Sequence, residues 1–458
     1  MLTVTSERLA IGLLFIVIAL LASFAPTQSD TWWHLRGGLD IWRTGTVSLQ
    51  DTYSYTAAGR LWPNHEWLTE VIFYALFWIA GLPLLTAVCA ALIVGAWALS
   101  WRLTEGAFEI RFLLFGASLF VAASSWAIRP QVFSLAAFAL TCTLLVAKRL
   151  GWLPVLFVLW TNLHGAVALG LVAIAAALGA TLIVHRKLPR SLIITAVACV
   201  LATAVSPLGF RLWPEIYASI ERSRVNQLIE WQAPGFSAGF WPFWGLVVAL
   251  PLAVAIWWRR LDERTTTLVA ISLAVLPLAV SSMRNVAVFL IVAVPALTAL
   301  TRRRDRIEQP ARTAGEHERI NAAILGAGAT IAAVIVGLGW HAPAPSLGWR
   351  PIKTEAAAAI AGCGHPLYNT YGPGGVLIWF VPEQKVFIDN RQDPYPIDLL
   401  RANHQLELDG DYIAIFNQYG IRCAAVPPDS PVTAGLRKDP SWSLKYADQQ
   451  WAVFTGGR

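Results

Sequence analysis

The chain has 458 residues, of which 56% are hydrophobic and only 14% are charged. Soluble globular domains carry roughly a quarter charged residues, so the composition excludes an ordinary soluble protein and indicates a membrane protein. The net charge of +7 is modest, and the basic residues fall in short segments between apolar runs. They do not form the single basic face typical of a nucleic-acid-binding protein, so nucleic acid is not an expected partner.

Apolar segments follow one another from the start of the chain to about residue 340, and most approach the roughly 20 residues that cross a bilayer as a helix. The first is interpreted as an uncleaved span rather than a signal peptide. The weakest is 67–80, which is short, contains Glu70 and ends just before Gly81. The predicted fold is mainly α, a polytopic helical membrane protein of about 11–13 spans. The segments are 8–25, 67–80, 82–101, 112–127, 131–147, 151–163, 165–184, 191–205, 242–258, 266–281, 286–300 and 320–340.

The distribution of lysine and arginine predicts the orientation in the membrane. Basic clusters occupy every second loop, and such loops are cytoplasmic by the positive-inside rule. The N-terminus is therefore predicted to be cytoplasmic, while the intervening loops and everything after Trp340 are predicted to be extracytoplasmic. The clusters are Lys148 and Arg149; Arg186, Lys187 and Arg190; Arg259, Arg260 and Arg264; and Arg302, Arg303, Arg304 and Arg306.

Two domains are predicted: a transmembrane domain over 1–340, with a large first external loop at 26–81, and a soluble α/β domain over 341–458. In the second domain, composition predicts helices at 354–361, 398–406 and 411–419. Strands are predicted at 366–370, 376–380, 385–388, 423–426, 441–446 and 451–454, with a turn at 372–375. Cys363 and Cys423 fall in this domain and could form a disulfide if it is extracytoplasmic.

The first external loop concentrates polar side chains at a membrane edge. Asp30 stands at the end of the first span, where an ionised carboxylate is costly unless it is solvated or paired. It could act as a general base toward an acceptor hydroxyl, or hold a divalent cation. The alternative is a helix N-cap, since the residues after it have helical spacing and aspartate is a preferred cap.

Four further residues of this loop are candidates. Glu66 and His65 stand just before segment 67–80 between tryptophans, and Glu66 is the second candidate catalytic carboxylate. His34 and Arg36 are candidate substrate ligands, because a guanidinium matches the geometry of phosphate. The alternative for Arg36 is a surface ion pair with Asp40.

The other loops predicted to face outward supply a second set of candidate substrate ligands. Arg129 and Arg284 have the chemistry to bind a phosphate or pyrophosphate. Any one of these residues could instead be an ordinary polar helix end, but all are predicted on the same side of the membrane. The segment 387–393 could contact a sugar or a metal, although a turn with an Asp–Arg pair is favoured there. The set is Arg129, His164, Glu230, Arg284 and Asn285.

Several short motifs taken together resemble a branch of bacterial membrane proteins in the glycosyltransferase-C superfamily. The motifs are DTWWHL (30–35), DTYSYT (51–56), WPNHEWL (62–68), RPQ (129–131), NLHG (162–165), EWQAP (230–234) and MRN (283–285). The resemblance implies a polytopic enzyme of the bacterial inner, or cytoplasmic, membrane that uses a polyprenyl-phosphate-linked sugar. The catalytic carboxylate of the superfamily corresponds to Asp30. Many members carry a second acid beside it, where this chain has Thr31.

The leading hypothesis is therefore a glycosyltransferase with Asp30 as general base and a lipid, glycan or protein as acceptor. Its expected partners are a lipid-linked sugar donor and membrane lipids, and a divalent cation such as Mg²⁺ or Mn²⁺, held by Asp30, is a candidate cofactor. A transporter or flippase for a lipid-linked saccharide is the alternative, although it would carry charges deep within its spans. A non-catalytic membrane scaffold is the third hypothesis.

Overall fold

The structure is a computed structural model that describes residues 4–225, 228–302, 317–364 and 366–456. Three arginines of the last predicted cytoplasmic cluster, Arg303, Arg304 and Arg306, lie outside these residues. The α-helices up to residue 341 are α1 (Ser6–Ser23), α2 (Ser29–Thr44), α3 (Trp67–Leu103), α4 (Phe108–Ala123), α5 (Gln131–Val146), α6 (Leu153–Leu163), α7 (Ala168–Ile183), α8 (Arg190–Ala202), α9 (Leu212–Val225), α10 (Trp241–Trp257), α11 (Glu263–Ser281), α12 (Val286–Thr301) and α13 (Glu318–His341).

The C-terminal part mixes short helices with strands. Its helices are α14 (Thr354–Ala361), α15 (Gly374–Phe380), α16 (Ile397–Asp409), α17 (Ile413–Tyr419) and α18 (Pro431–Lys438). Its strands are β1 (Leu367–Asn369), β2 (Cys423–Val426), β3 (Trp442–Ala447) and β4 (Ala452–Gly456). They form one sheet in the order β1-β2-β4-β3. Strand β1 pairs with β2 in parallel, and the other two pairings are antiparallel.

The predicted fold class, a mainly α polytopic membrane protein with a small C-terminal α/β part, is confirmed. Among the described residues, seven helices are long and apolar enough to cross a bilayer, and three apolar helices are shorter. The count of about 11–13 spans stays a prediction. Helix α3 breaks at Ala80 and Gly81, where the backbone leaves helical geometry. Segment 67–80 therefore ends where the sequence predicted.

The chain divides into two compact units that interleave in sequence. The helical unit comprises Met1–Ala25, Pro83–Ser206 and Ile229–Ala344. The mixed unit comprises Pro26–Leu82, Pro207–Leu228 and Pro345–Arg458, so it joins the first external loop to the C-terminal part. The predicted boundary between a transmembrane domain, 1–340, and a soluble domain, 341–458, is a statement about the membrane rather than about these compact units, and it stays a prediction.

Within the helical unit, α12 is the central helix. Its side chains are buried along almost its whole length, as expected for a helix that is apolar on every face. It packs against α4, α5, α10 and α11. Helices α1 and α13 pack together and expose much of their apolar surface. Their contact is close because Gly339 leaves room for the ring of Phe24.

The core of the mixed unit combines both of its distant segments. Ala57 of the first loop lies in the same cluster as Tyr368, Phe387 and Phe454. Tyr55 packs against this cluster and its hydroxyl donates to the carbonyl of Leu367. The first loop is therefore an integral part of this fold rather than a solvated excursion.

Two predicted strands of the C-terminal part are wrong. Residues 376–380 belong to helix α15, and the turn predicted at 372–375 is where that helix begins. A short apolar run fits a buried helix as well as a strand. The helix packs closely against α2, since a Cβ added to Gly375 would lie 2.3 Å from the carbonyl oxygen of Ser29. Residues 385–388 form no sheet strand, and Val386 makes only an isolated bridge with Ser54.

Other predicted elements match the structure, and two helices were not anticipated. The helix predicted at 354–361 is α14 with the same bounds. Strand β2 has the bounds predicted for it, and the remaining predicted helices and strands agree to within a few residues at each end. Helices α9 and α18 had no prediction. Cys363 and Cys423 form a disulfide with a Cα–Cα distance of 5.8 Å, which attaches the segment after α14 to β2.

A buried ion cluster joins the first and the last of the three segments of the mixed unit. The guanidinium of Arg391 lies 2.6 Å from Asp51 Oδ1 and 2.7 Å from Asp389 Oδ2, and all three side chains are fully buried. The guanidinium of Arg391 also lies over the rings of Tyr53 and Trp62, 4.8 Å from each centroid. Burial alone would lower the pKa of Arg391, but the two aspartates raise it well above its ordinary value. The Asp–Arg pair favoured for segment 387–393 is present.

We expect Arg391→Met to destabilise the protein by about 3–5 kcal/mol, because it leaves Asp51 and Asp389 buried without a countercharge. The free energy of unfolding can be measured from tryptophan fluorescence in a urea titration of the full chain. Arg401→Met is the matched control, since the Arg401 side chain is 62% exposed. A loss below about 1 kcal/mol, typical of surface substitutions, would contradict the importance of this cluster.

Candidate active site

The ten predicted site residues divide equally between the two units. Each set forms its own cluster within its unit, and we name these the anion cluster and the acidic cluster. The anion cluster, in the helical unit, contains Arg129, His164, Glu230, Arg284 and Asn285. The acidic cluster, in the mixed unit, contains Asp30, His34, Arg36, His65 and Glu66.

The anion cluster is centred on Glu230, which bridges two arginines. Arg129 Nη1 lies 2.6 Å from Glu230 Oε2, and Arg284 Nη1 lies 3.6 Å from Glu230 Oε1. The guanidinium of Arg284 also lies 5.2 Å from the ring centroid of Trp231. With two guanidinium groups and one carboxylate, these three side chains carry a net charge of +1, which favours a bound anion.

Breaks between helices place these residues. Pro130 is the N-cap of α5, so Arg129 stands just before the first turn of that helix. Arg284 lies in a short 3₁₀ helix, Met283–Asn285, between α11 and α12. The loop that carries Glu230 is attached there, because Ser282 Oγ donates to the Glu230 carbonyl at 2.9 Å and the Met283 N–H donates to the Gln232 carbonyl at 2.9 Å.

His164 connects Arg284 to the interior of the helical unit. Its Nε2 lies 3.0 Å from Arg284 Nη2. A guanidinium can only donate, so this hydrogen bond requires an unprotonated Nε2. The other ring nitrogen lies 2.6 Å from Ser134 Oγ, which in turn accepts from Trp160 Nε1 at 2.7 Å. The arrangement therefore holds Arg284 in one orientation.

Four of the five predicted residues line one cavity of about 50 Å³. These are Arg129, His164, Arg284 and Asn285, and Ser134 lines it as well. The rest of the lining is largely apolar, with side chains of α5 and α12. The cavity therefore combines guanidinium donors with an apolar wall.

The two arginines set the ionisation of Glu230. Burial alone would raise the pKa of its carboxyl, but Arg129 and Arg284 outweigh it and lower the pKa to about 2. Glu230 is therefore ionised at neutral pH and is a poor proton acceptor. Its position indicates that it holds the two guanidinium groups in place.

The acidic cluster begins with Asp30 in the first turn of α2. The alternative of an N-cap is wrong for Asp30, because the cap is Gln28, whose N–H donates to Thr31 Oγ1 at 3.0 Å. The first turn of a helix favours an ionised carboxylate. Asn390 donates its side-chain amide to Asp30 Oδ1.

His34 lies one turn further along α2, between two glutamates. Its Nε2 is 3.4 Å from Glu66 Oε2, and its Nδ1 is 3.5 Å from Glu70 Oε1. Glu70 is fully buried and accepts from Asn64 Nδ2 at 2.8 Å. Gly37 makes space for the Glu70 carboxylate, since a Cβ there would lie 2.6 Å from Glu70 Oε2.

The remaining two predicted residues lie at the edges of the cluster. Arg36 pairs with Asp40 at 3.1 Å, as the alternative in the sequence analysis proposed, and Tyr53 also donates to Asp40 at 2.8 Å. His65 Nε2 lies 3.8 Å from Glu66 Oε1, and its Nδ1 lies 2.8 Å from the carbonyl of Pro63. All ten assignments to catalysis or substrate binding stay predictions.

Metal binding was tested on the donor set. Within residues 4–225, 228–302, 317–364 and 366–456, no group of three or more histidine, cysteine, aspartate or glutamate side chains has the arrangement of a metal site. Asp30 is the residue that the sequence analysis proposed as a ligand, and its partner in the structure is the amide of Asn390. The divalent cation stays a prediction.

Sequence reasoning missed several residues that the fold adds to these clusters. Ser134 lies in an apolar helix, where a hydroxyl usually bonds to its own backbone, so nothing in the sequence pointed to it. Glu70 had a signal, because a carboxylate within an apolar segment is costly without partners. Asn390 and Asp393 lie in the segment named as a possible sugar or metal contact.

Comparison with solved structures identifies the fold. The apo crystal structure of ArnT from Cupriavidus metallidurans matches with a TM-score of 0.50 and 16% sequence identity, over 96% of this chain and 97% of that chain. The crystal structure of ArnT from the same organism bound to undecaprenyl phosphate matches with a TM-score of 0.47 and 14% identity, over the same shares. No protein-family model and no curated protein matches the sequence.

The protein has an ArnT-like polytopic membrane fold. The predicted resemblance to the glycosyltransferase-C superfamily is thereby confirmed as a likeness of fold. The likeness covers both units of this chain, from the first apolar helix to the C-terminal sheet. An integral membrane protein is the localisation that the fold and the apolar helices support.

The depressed pKa of Glu230 predicts a pH dependence of stability. A carboxyl whose pKa is lowered on folding contributes stability that is complete above its ordinary pKa and is lost as the pH falls toward the folded value. This contribution to stability should therefore disappear as the pH falls from 4.5, the ordinary pKa, to about 2, the pKa in the folded protein. Glu230→Gln has no charge to lose, so its unfolding temperature should fall less than that of the wild type between about pH 5 and about pH 3.

Glu355→Gln is the control for this measurement, because Glu355 is exposed at the start of α14. It should keep the wild-type pH profile. Identical profiles for Glu230→Gln and the wild type would show that the two arginines do not stabilise the ionised carboxylate.

Proposed function

We propose that the protein is an inverting glycosyltransferase that takes a sugar from a polyprenyl-phosphate donor at the outer face of the membrane. The observation that carries the proposal is the pairing of Arg129 and Arg284 around one carboxylate at an apolar-walled cavity. The ArnT-like fold supports it, and ArnT itself has been crystallised with undecaprenyl phosphate. The acceptor is a lipid, a glycan or a protein.

In this proposal the anion cluster binds the leaving group. The departing polyprenyl phosphate carries negative charge that grows as its bond to the sugar breaks, and fixed guanidinium groups stabilise that charge. His164 and Glu230 hold Arg284 from two sides, so little reorganisation is needed during the reaction. Asn285 lines the same cavity, while its amide donates to the carbonyl of Leu278 at 3.3 Å.

The acidic cluster supplies the proton acceptor. The acceptor hydroxyl attacks C1 of the sugar, the bond from C1 to the phosphate oxygen breaks, and the electron pair leaves with the phosphate. Asp30 takes the hydroxyl proton as general base. Glu66 is the second carboxylate of the cluster, and His34, between Glu66 and Glu70, keeps it oriented. If a divalent cation is used, Asp30 is the residue that would hold it.

An extracytoplasmic C-terminal part and a cytoplasmic N-terminus complete the proposal, with the bacterial inner membrane as the location. The Cys363–Cys423 disulfide supports this orientation, because stable disulfides persist in oxidising compartments. The lysine and arginine bias of the loops supports it independently.

The proposed roles of Asp30 as base and Arg284 as phosphate ligand predict different defects. Asp30→Asn should reduce transfer by about 100-fold or more, as expected on removal of a general base, while leaving the dissociation constant for undecaprenyl phosphate unchanged. Arg284→Gln should raise the dissociation constant for undecaprenyl phosphate by about tenfold or more, since a charge-assisted hydrogen bond is lost. The assay is release of undecaprenyl phosphate from undecaprenyl-phosphate-linked hexoses and pentoses by the full chain in liposomes.

Asp398→Asn is the control, because the Asp398 side chain is 97% exposed. Turnover by Asp30→Asn at the wild-type rate would overturn its role as base. Movement of the lipid-linked sugar across the bilayer without release of the phosphate lipid would instead support the transporter hypothesis.

The disulfide predicts a labelling pattern in protein isolated from bacterial cells. Of the five cysteines, Cys89, Cys142 and Cys199 have free thiols. Denatured but unreduced protein should therefore take up a maleimide–polyethylene glycol at three positions, and at five after reduction. Labelling of all five without reductant would contradict an oxidising environment for the C-terminal part.

A further inference from the structure

A second polar group in the mixed unit lies close in sequence to Asn390, the partner of Asp30. The turn at Gln392 and Asp393 faces one side of α9, where Gln392 Nε2 donates to Ser223 Oγ at 2.7 Å. Arg222, on the same helix, has its Nη1 3.9 Å from Asp393 Oδ1. We name Arg222, Gln392 and Asp393 the turn–α9 group.

Buried polar atoms of this group lack hydrogen-bond partners. They are Asp393 Oδ1, Gln392 Oε1 and the Nε and Nη1 atoms of Arg222. Asp393 is only 8% exposed and Gln392 only 9%, and buried polar groups in folded proteins are almost always hydrogen-bonded. Burial raises the pKa of Asp393, while nearby His65, a hydrogen bond with the Ser219 side chain and Arg222 act in the opposite direction. Such a set of unsatisfied groups points to a ligand.

The mixture of donors and acceptors identifies the chemistry of that ligand. A phosphate would be repelled by the carboxylate and the amide oxygen, and a metal cation would be repelled by the guanidinium. A hydroxyl group both donates and accepts. One hydroxyl oxygen at about 2.8 Å from each partner can bridge the gap between Asp393 Oδ1 and Arg222 Nη1, and neighbouring hydroxyls can donate to Gln392 Oε1.

We propose that the turn–α9 group, Arg222, Gln392 and Asp393, is a saccharide subsite that binds hydroxyl groups of a sugar. The inference rests on the proposed function and specifies which residues would recognise the sugar rather than the phosphate. The turn is held rigidly for this task, since Arg391 between Asn390 and Gln392 is fixed by Asp51 and Asp389.

Free methyl glycosides test the subsite without relying on catalysis. The probes are methyl glycosides of glucose, galactose, mannose, N-acetylglucosamine and arabinose, measured by saturation-transfer difference NMR with the full chain in lipid nanodiscs. At least one glycoside should bind the wild type. Asp393→Asn should raise the dissociation constant for that glycoside by about tenfold or more, as expected for a lost hydrogen bond to a charged group. Asp398→Asn should bind as the wild type does.

Two further measurements separate this inference from the proposed function. Asp393→Asn should bind undecaprenyl phosphate with unchanged affinity, whereas Arg284→Gln should not. If the unfolding temperature of Asp393→Asn shows that this variant does not fold, Arg222→Gln replaces it, because the Arg222 side chain is less buried than that of Asp393. A wild type that binds none of the glycosides, or variants that bind them equally well, would overturn the subsite and leave water as its occupant. The transfer assay with lipid-linked sugars tests the proposed function whatever the glycosides show.

Discussion

The structure of the mixed unit depends on one buried guanidinium. Arg391 is enclosed by two carboxylates and by the rings of Tyr53 and Trp62. Removing a charge from water is costly, and that cost is offset only when the charge is fully paired. Here the pairing requires Asp51 from the first loop and Asp389 from the C-terminal part. The ion cluster therefore joins two segments that are more than 300 residues apart in the sequence.

The same pairing positions the neighbours of Arg391. Asn390 lies on one side of it and donates to Asp30 in the first turn of α2. Gln392 and Asp393 lie on the other side and face α9. Tyr395 donates its hydroxyl to Asp389 at 2.6 Å, which completes the network. A structural ion cluster thus orients both the candidate base and the candidate sugar ligands, so stability and chemistry share the same residues.

The two charged clusters have opposite electrostatic character. In the helical unit, two arginines share one glutamate, and a positive charge remains for an anion. In the mixed unit, Glu66 and Glu70 stand on either side of His34, and Asp30 lies one turn before it. Group transfer from a phosphate ester needs both kinds of environment, one for the leaving group and one for the proton. The arginine pair of the helical unit is the observation on which the proposed function rests.

Much of the architecture followed from local sequence. The apolar segments predicted the membrane helices, and Gly81, which adopts a left-handed backbone with φ of 68°, marked the break in α3. The short apolar run at 374–380 could not be assigned correctly, because seven residues carry too little periodicity to separate a strand from a buried helix. In the fold this segment packs against α2, where Gly375 approaches Ser29 closely, and that contact joins residues far apart in the chain.

The amino-acid sequence alone is enough to recognise a polytopic membrane protein and to identify the charged side chains that would be costly near a membrane without a partner. Composition and periodicity are local properties, and the cost of a charge near a membrane can be judged at each position separately. The fold sets the long-range pairs: Glu230 is the partner of Arg129 and Arg284, and Asp51 is a partner of Arg391. Pairing depends on distances of a few ångströms between residues that the chain separates by tens or hundreds of positions, and no local pattern encodes those distances.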